Sequence, residues 1–369
     1  MTLRPLFAVV TALAMFVACS DTPSSGGFTV TVSGEDLAVN GDPFSEGANA
    51  NDDPPPFVDG WAVEFTHVIV TVANVRLNED PDQDPGDPTK LGPVVGTLAG
   101  PFAVDVHLGG SVVGKSGSPD EKTIAIGSFA KKSDGGAFDR NARYAFSYDL
   151  VTATPSATLV NLDAEGKALY ASMIAKGQSS LLAGTATYRG PTPTEAVFAK
   201  MPPSVVFSLG LKNPSSYVNC RNTDLQETSG DFPRGVQATP GAPTVAQITI
   251  HTDHAFWSRL NVERSELHFD PIAASAATYG AAQPTEGVVT IDDLAAVDVT
   301  GFRTKDGTPL PARSVVEGWT APAGQLRFVA NGTSFAAVNS YASYLSYSAA
   351  AGGHLNADGA CVVRNAFAP

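Results

Sequence analysis

The stretch ITIHTDHAFW, residues 248–257, holds two histidines three residues apart with an aspartate between them. Imidazole and carboxylate together make a donor set that zinc and copper favour. His251, Asp253 and His254 are therefore candidate metal ligands. On a strand Ile248 and Ile250 share one face, which leaves His251 and Asp253 together on the other. His254 would then open a helix, placing both imidazoles around a strand-to-helix turn. LHFD repeats the pairing with His268 and Asp270, and His354 stands in GGHLNADGAC. If these six groups converge, the expected ion is zinc or copper. A structural role competes with that one. Asp253 can cap a helix HAFWSRLNV, and Asp270, followed by Pro271, can cap the next. Neither spacing is as specific as HExxH or a pair of CxxC motifs.

Other segments raise other chemistry. Asp80, Asp82 and Asp84 in NEDPDQDPGDPTK have the spacing of the first three ligands of a calcium loop. However, Pro85 takes the turn position and no Glu follows at the twelfth, so an acidic surface loop competes with calcium. Asp105 and His107 alternate in DVH, and His67 lies in FTHVIV. NGTSFAAV resembles the nucleophile segment of subtilisin-like serine proteases, in which GTS-x-A sets a serine at a helix N-terminus. That resemblance implies a nucleophilic Ser334, with His251 and His254 echoing the family's H-x-x-H. It covers five residues; no glycine follows His251, and the parallel-strand pattern of that fold is missing. A metal-assisted hydrolase would need a carboxylate base, and Glu263 and Glu266 are the near candidates in sequence. Tyr341, Tyr344 and Tyr347 recur every three residues, either as a binding platform or as packing against a sheet.

The elements that must position these groups are mainly β. FTVTVSGEDLAV (Phe28–Val39) and WAVEFTHVIVTVANVRL (Trp61–Leu77) alternate apolar and polar residues. FAVDVHL, KTIAIGSFA, RYAFSYDLVTA, SLLAGTATYRG and VVFSLGL are further strands, punctuated by Gly, Pro, Asn and Asp. NLDAEGKALYASMIAKG, Asn161–Gly177, has helix period, a polar start and a terminal glycine. The expectation for 28–215 is an antiparallel β-sandwich or barrel-like domain. A mixed α+β region over 216–369 follows, with strands at TVAQITIHT and ELHF and helices at PIAASAATY, IDDLAAV and SFAAVNSYASYLSYSAAAGG. One continuous domain with an α-rich elaboration is the alternative.

The N-terminus speaks to location. MTLRPLFAVVTALAMFVACS carries one basic residue, then an apolar run too short to span a bilayer, as in a secretory signal. FVAC resembles the lipobox of bacterial lipoproteins. The resemblance implies a signal peptide over 1–18, a lipidated Cys19 and a polar tether over 19–27. It also implies a cell-envelope address, with Ser20 after the cysteine favouring the outer membrane. The remaining pair, Cys220 and Cys361, reads as a disulfide in an exported chain. A net charge of −14 argues against nucleic acid as a partner, so the membrane, reached through the N-terminal lipid, is the expected one. The leading reading is a non-catalytic envelope binding protein. A hydrolase, and a structural or adhesive module, are its alternatives.

Overall fold

The computed structural model describes residues 26–46, 56–116, 118, 121–192, 202–227, 231–257, 265–278, 287–295, 329–330, 333–334 and 341–367. Cys19, the signal, the tether up to residue 25, and Glu263 lie outside these. FTVTVS forms β1 (Phe28–Ser33) by its alternation. The strand does not run on to Val39 as its pattern predicts. Gly34 and a left-handed Glu35 (φ 57°) break it, and α1 (Glu35–Asn40) begins there. Then come β2 (Trp61–Asn78), β3 (Val94–Leu98), β4 (Phe102–Asp105), β5 (Val112–Val113), β6 (Lys122–Phe129), β7 (Arg143–Leu150) and β8 (Thr158–Val160). The helix expected next is α2 (Ala164–Lys176). Asp163 caps it by accepting the Gly166 N–H at 2.8 Å, and Gly177, at φ 68°, ends it.

The chain continues through β9 (Ser180–Tyr188), β10 (Ser204–Leu211), β11 (Ser215–Val218), β12 (Val236–Gln237) and β13 (Thr244–Ile250). A 3-10 turn at Asp253–Phe256 precedes α3 (Asp270–Thr278), β14 (Val288–Thr290), α4 (Ile291–Ala295), β15 (Val329–Ala330) and β16 (Thr333–Ser334). Last are α5 (Tyr341–Ala350), β17 (Gly353–Leu355), β18 (Gly359–Ala360) and β19 (Val362–Asn365). Ser334 thus sits in a short antiparallel ladder with Val329, not at the start of α5 as its motif implies.

Among the described residues the protein is mainly β, built on two mixed sheets without a closed barrel. The smaller has the order β18-β17-β13-β1-β6-β5. The larger runs β14-β10-β9-β2-β7-β11-β19, with β3, β4 and β12 paired onto β2 or β7 and β8 onto β4. The sheets are not purely antiparallel as expected. β1 pairs in parallel with β13, β10 with β14, and β4 with β8. Parallel neighbours need long connections rather than hairpins, and β13 reaches β1 only after most of the larger sheet has formed. Both sheets therefore draw strands from either side of residue 215. One hydrophobic core does too: Val30 and Val32, Val68 and Val70, Phe146, Ile248 and Leu345 all belong to it. A cut at 215 would pass through both sheets.

β2 is buried on both faces at its middle. Val68, Val70 and Val72 face the main core, while Ile69 packs under α2 with Tyr170, Met173 and Leu181. That explains its near-continuous apolar run. Cys220 and Cys361 are bonded, S–S 1.97 Å, tying the turn after β11 to the link between β18 and β19.

In the acidic loop after β2, Asp82 and Asp84 already have partners. Asp82 pairs with Arg143, and Asp84 with Lys90 at 2.7 Å and with the Gly86 N–H at 2.9 Å. Asp80 stands at a left-handed turn (φ 48°). The cationic side chains meet the charge that calcium would meet, and Asn219 holds the loop by donating to Pro81 O and Pro88 O.

Candidate metal centre

β13 ends at Ile250, so His251 stands just beyond the strand, and its N–H donates to Gly352 O at 2.8 Å. The 3-10 turn follows at once. Strand alternation therefore does not set the relation of His251 to Asp253, as the sequence suggested; the turn does. α5 holds that turn from outside: Tyr344 Oη donates to Trp257 O at 2.7 Å, and Ser348 Oγ donates to His254 O. The three tyrosines of α5 are all buried, so the stripe is packing and not an open platform. Asp253 is no helix cap. Its Oδ2 accepts the Trp257 indole N–H at 3.0 Å, and Trp257 stacks on the His254 ring, centroids 3.8 Å apart.

His354 comes in through the sheet. β17 pairs antiparallel with β13 and sets His354 opposite Thr249. The three imidazoles close up, with centroids 4.4 Å apart for His251–His354, 5.5 Å for His251–His254 and 5.6 Å for His254–His354. Two triads have ligand atoms all within 4.8 Å of one another: His251, Asp253 and His254, and His251, His354 and Asp358. Metal bonds of about 2 Å put two ligands of one ion within about 4 Å of each other, so small side-chain adjustments bring either triad onto an ion.

Three carboxylates here carry no signal in the sequence, Asp42 and, beside His251, Glu35 and Asp358. Glu35 Oε2 lies 3.4 Å from His251 Nδ1, while Asp358 Oδ1 lies 3.9 Å from His251 Nε2. Glu35 is fixed from behind, because its N–H donates to Ser33 Oγ at 2.9 Å and Ser33 Oγ donates to Glu121 Oε1 at 2.5 Å. Asp358 follows two left-handed residues, Asn356 and Ala357. Asn356 Oδ1 accepts the Gln247 N–H, and the Ala357 N–H donates to Thr249 Oγ1. Glu35, at the start of α1, and Asp358, in the turn between β17 and β18, lie far from His251 in sequence; only the tertiary pairing exposes them as neighbours.

The electrostatics are those of a site short of positive charge. Burial pushes the Glu35 carboxyl up to about 7, against the pull of His251. Burial, with Asp253 nearby, holds the Asp42 carboxyl well above the usual range. Burial and then His251 hold the His254 and His354 imidazoles well below theirs. For His251 burial works downward too, but Glu35, Asp253 and Asp358 together lift it above its ordinary value. Two imidazoles are thus neutral and ready to ligate. His254 Nδ1, His354 Nδ1, Asp253 Oδ1 and both oxygens of Asp42 are buried without a hydrogen-bond partner. Each such orphaned group costs about 1–3 kcal/mol, and a bound cation would satisfy the nitrogens and Asp253 directly.

His268 and Asp270 do not join this cluster. His268 Nδ1 lies 3.8 Å from Asp59 Oδ2, and its Nε2 lies 3.4 Å from Glu266 Oε2. Asp270 Oδ1 accepts the Trp61 indole N–H at 2.8 Å. The cap of α3 is Asp59, whose Oδ2 accepts the Phe269 and Asp270 N–H groups, each at 2.7 Å. Pro271 was a sound marker of the helix start, but the capping carboxylate comes from far upstream. Glu266, a candidate base, is taken up by His268. His67 and Asp105 form their own buried pair, Nδ1 to Oδ2 2.6 Å, and His107 binds Ala38 O. No family model, no curated protein and no solved structure matches this chain.

Proposed function

We propose that the protein binds one transition-metal ion, zinc or copper, at His251, Asp253 and His254, and does so as a lipid-anchored protein of the bacterial cell envelope. The observation carrying the metal reading is the meeting of an unpartnered imidazole nitrogen, His254 Nδ1, with an unpartnered carboxylate oxygen, Asp253 Oδ1, in a buried site. Among the described residues no lysine or arginine pairs with Glu35, Asp42, Asp253 or Asp358. The envelope address rests on the FVAC motif at Cys19 and is supported by the Cys220–Cys361 bond, which suits an oxidising compartment. Elemental analysis of protein purified from the envelope of its own host tests the metal reading. About one zinc or copper per chain is expected, and His254→Ala or Asp253→Asn should lose it. Protein that carries none and takes up none in dialysis refutes the reading. The anchor has a separate test: Cys19→Ala should move the chain out of the membrane fraction.

The hydrolase reading gains one specific observation. Glu35, not Glu263 or Glu266, supplies a buried carboxylate beside the metal ligands, 3.4 Å from His251. A bound metal would there supply a polarised water, and Glu35 would take its proton. Turnover of simple esters by zinc-loaded protein, lost in Glu35→Gln with zinc retained, would favour this over a pure binding role.

A further inference from the structure

We infer that His251, His354 and Asp358 form a second, rim position for the same divalent cation, a relay through which the ion reaches the buried triad. This rests on the metal-binding reading above. The two triads share His251, and their members differ sharply in exposure. The Asp358 side chain is 82% exposed and that of His251 11%, whereas His254 is 6% exposed. An ion arriving from solvent meets a carboxylate first, then the His251–His354 pair, then Asp253 and His254.

His354 Nδ1 is buried without a hydrogen bond of good geometry; the polar neighbours of the ring on its own chain segment are the Ala351 and Ala357 backbone groups. The Asp358 loop is held in place by structure. Thr249 Oγ1 takes the Ala357 N–H at 3.1 Å, and Asn356 Nδ2 donates to Asn222 Oδ1 at 2.8 Å. Passing the ion inward exchanges an imidazole and a carboxylate oxygen for another of each, with His251 retained, and moves no electron. Two divalent charges on triads sharing one side chain would repel strongly in a buried setting, so occupancy is sequential.

A relay changes loading and release together and leaves the equilibrium alone. The test uses the full chain in detergent, stripped of metal and mixed rapidly with Cu²⁺. Loading is followed by quenching of tryptophan fluorescence, since Trp257 stacks on His254, and release by adding chelator. Asp358→Asn should slow loading and release each by about tenfold while Kd stays within about twofold and one ion binds per chain. Asp358→Glu, which keeps an oxygen donor, should restore both rates. Asp134→Asn, which removes a charge from an exposed loop elsewhere, should change neither. Two ions per wild-type chain, unchanged rates in Asp358→Asn, or a weakened Kd with unchanged loading would each overturn the relay. A wild-type chain that takes up no Cu²⁺ would instead bring down the metal-binding reading, and the relay with it.

Discussion

Trp257 grips the metal-site turn twice: its ring lies on His254 at 3.8 Å between centroids, and its indole N–H donates to Asp253 Oδ2 at 3.0 Å. A side chain that touches both candidate ligands orients them without binding the ion. Carboxylates and imidazoles positioned in this way lose about 10–100-fold in metal affinity when the support is removed. Trp257→Phe keeps the stack and deletes the hydrogen bond. Isothermal titration with Zn²⁺ should show affinity reduced about tenfold, the low end of that range.

Metal uptake should depend on pH in one direction. The carboxylates around His251 hold its proton above the ordinary range despite burial, and burial holds the Glu35 proton to about 7. Ions must displace such protons, so affinity rises with pH through neutrality, by about tenfold per pH unit for each proton released. Titrations between pH 6 and 8 in buffers of different ionisation enthalpy count those protons directly. Affinity flat across that window would contradict the arrangement.

Without metal, Glu35 makes the fold lean toward acid. Its folded pKa of about 7 lies above the ordinary 4.5, so the folded state holds the proton more tightly than the unfolded one. That stabilisation is complete below about pH 4.5 and disappears as pH rises through about 7, amounting to at most roughly 3 kcal/mol. His251, also raised, acts in the same direction, whereas the lowered His254 and His354 oppose both but are common to either protein. Glu35→Gln should therefore gain stability relative to the metal-free wild type as pH climbs from 4.5 to 7, measured by urea unfolding.

Gly353 is the close-packed point behind His354. A Cβ there would come within 2.3 Å of Tyr217 Cε1 and 2.6 Å of Tyr148 Oη, two rings stacked at 4.6 Å. Gly353→Ala must push β17 away from these rings, costing about 1–3 kcal/mol. Because His354 is the next residue, the same change should weaken rim binding. Thermal unfolding and Cu²⁺ loading rates should both shift; a Tm unchanged within error would be the contrary result.

The Cys220–Cys361 bond closes a separation of 141 residues. It pins the segment between β18 and β19, just beyond Asp358. Cys220→Ser with Cys361→Ser should cost about 2–5 kcal/mol in denaturant unfolding and slow metal loading by loosening the Asp358 loop. Mass spectrometry of the non-reduced wild type should show the linked peptide pair.

Periodicity by itself marked the longer strands and the helices α2 to α5, but not α1 or short strands such as β3, β8 and β11. Alternation marked β2, β6, β7, β9, β10 and β13, and the polar start and terminal glycine of Asn161–Gly177 marked α2, which begins three residues later at Ala164. These are local signals, written in side-chain order and in turn chemistry. The same reasoning singled out His251, Asp253, His254 and His354, because their types announce their chemistry wherever they lie. Tertiary structure alone decided which candidates meet. Parallel pairing of β13 with β1 sets the strand that leads into His251 beside the strand that leads into Glu35, the first residue of α1. Antiparallel pairing of β17 with β13 delivers His354, and a left-handed turn delivers Asp358. His268 and Asp270, equal candidates in the sequence, were carried off by Asp59 and Trp61. Strand partners are chosen by burial of whole faces across distant segments, and no spacing along the chain encodes that choice.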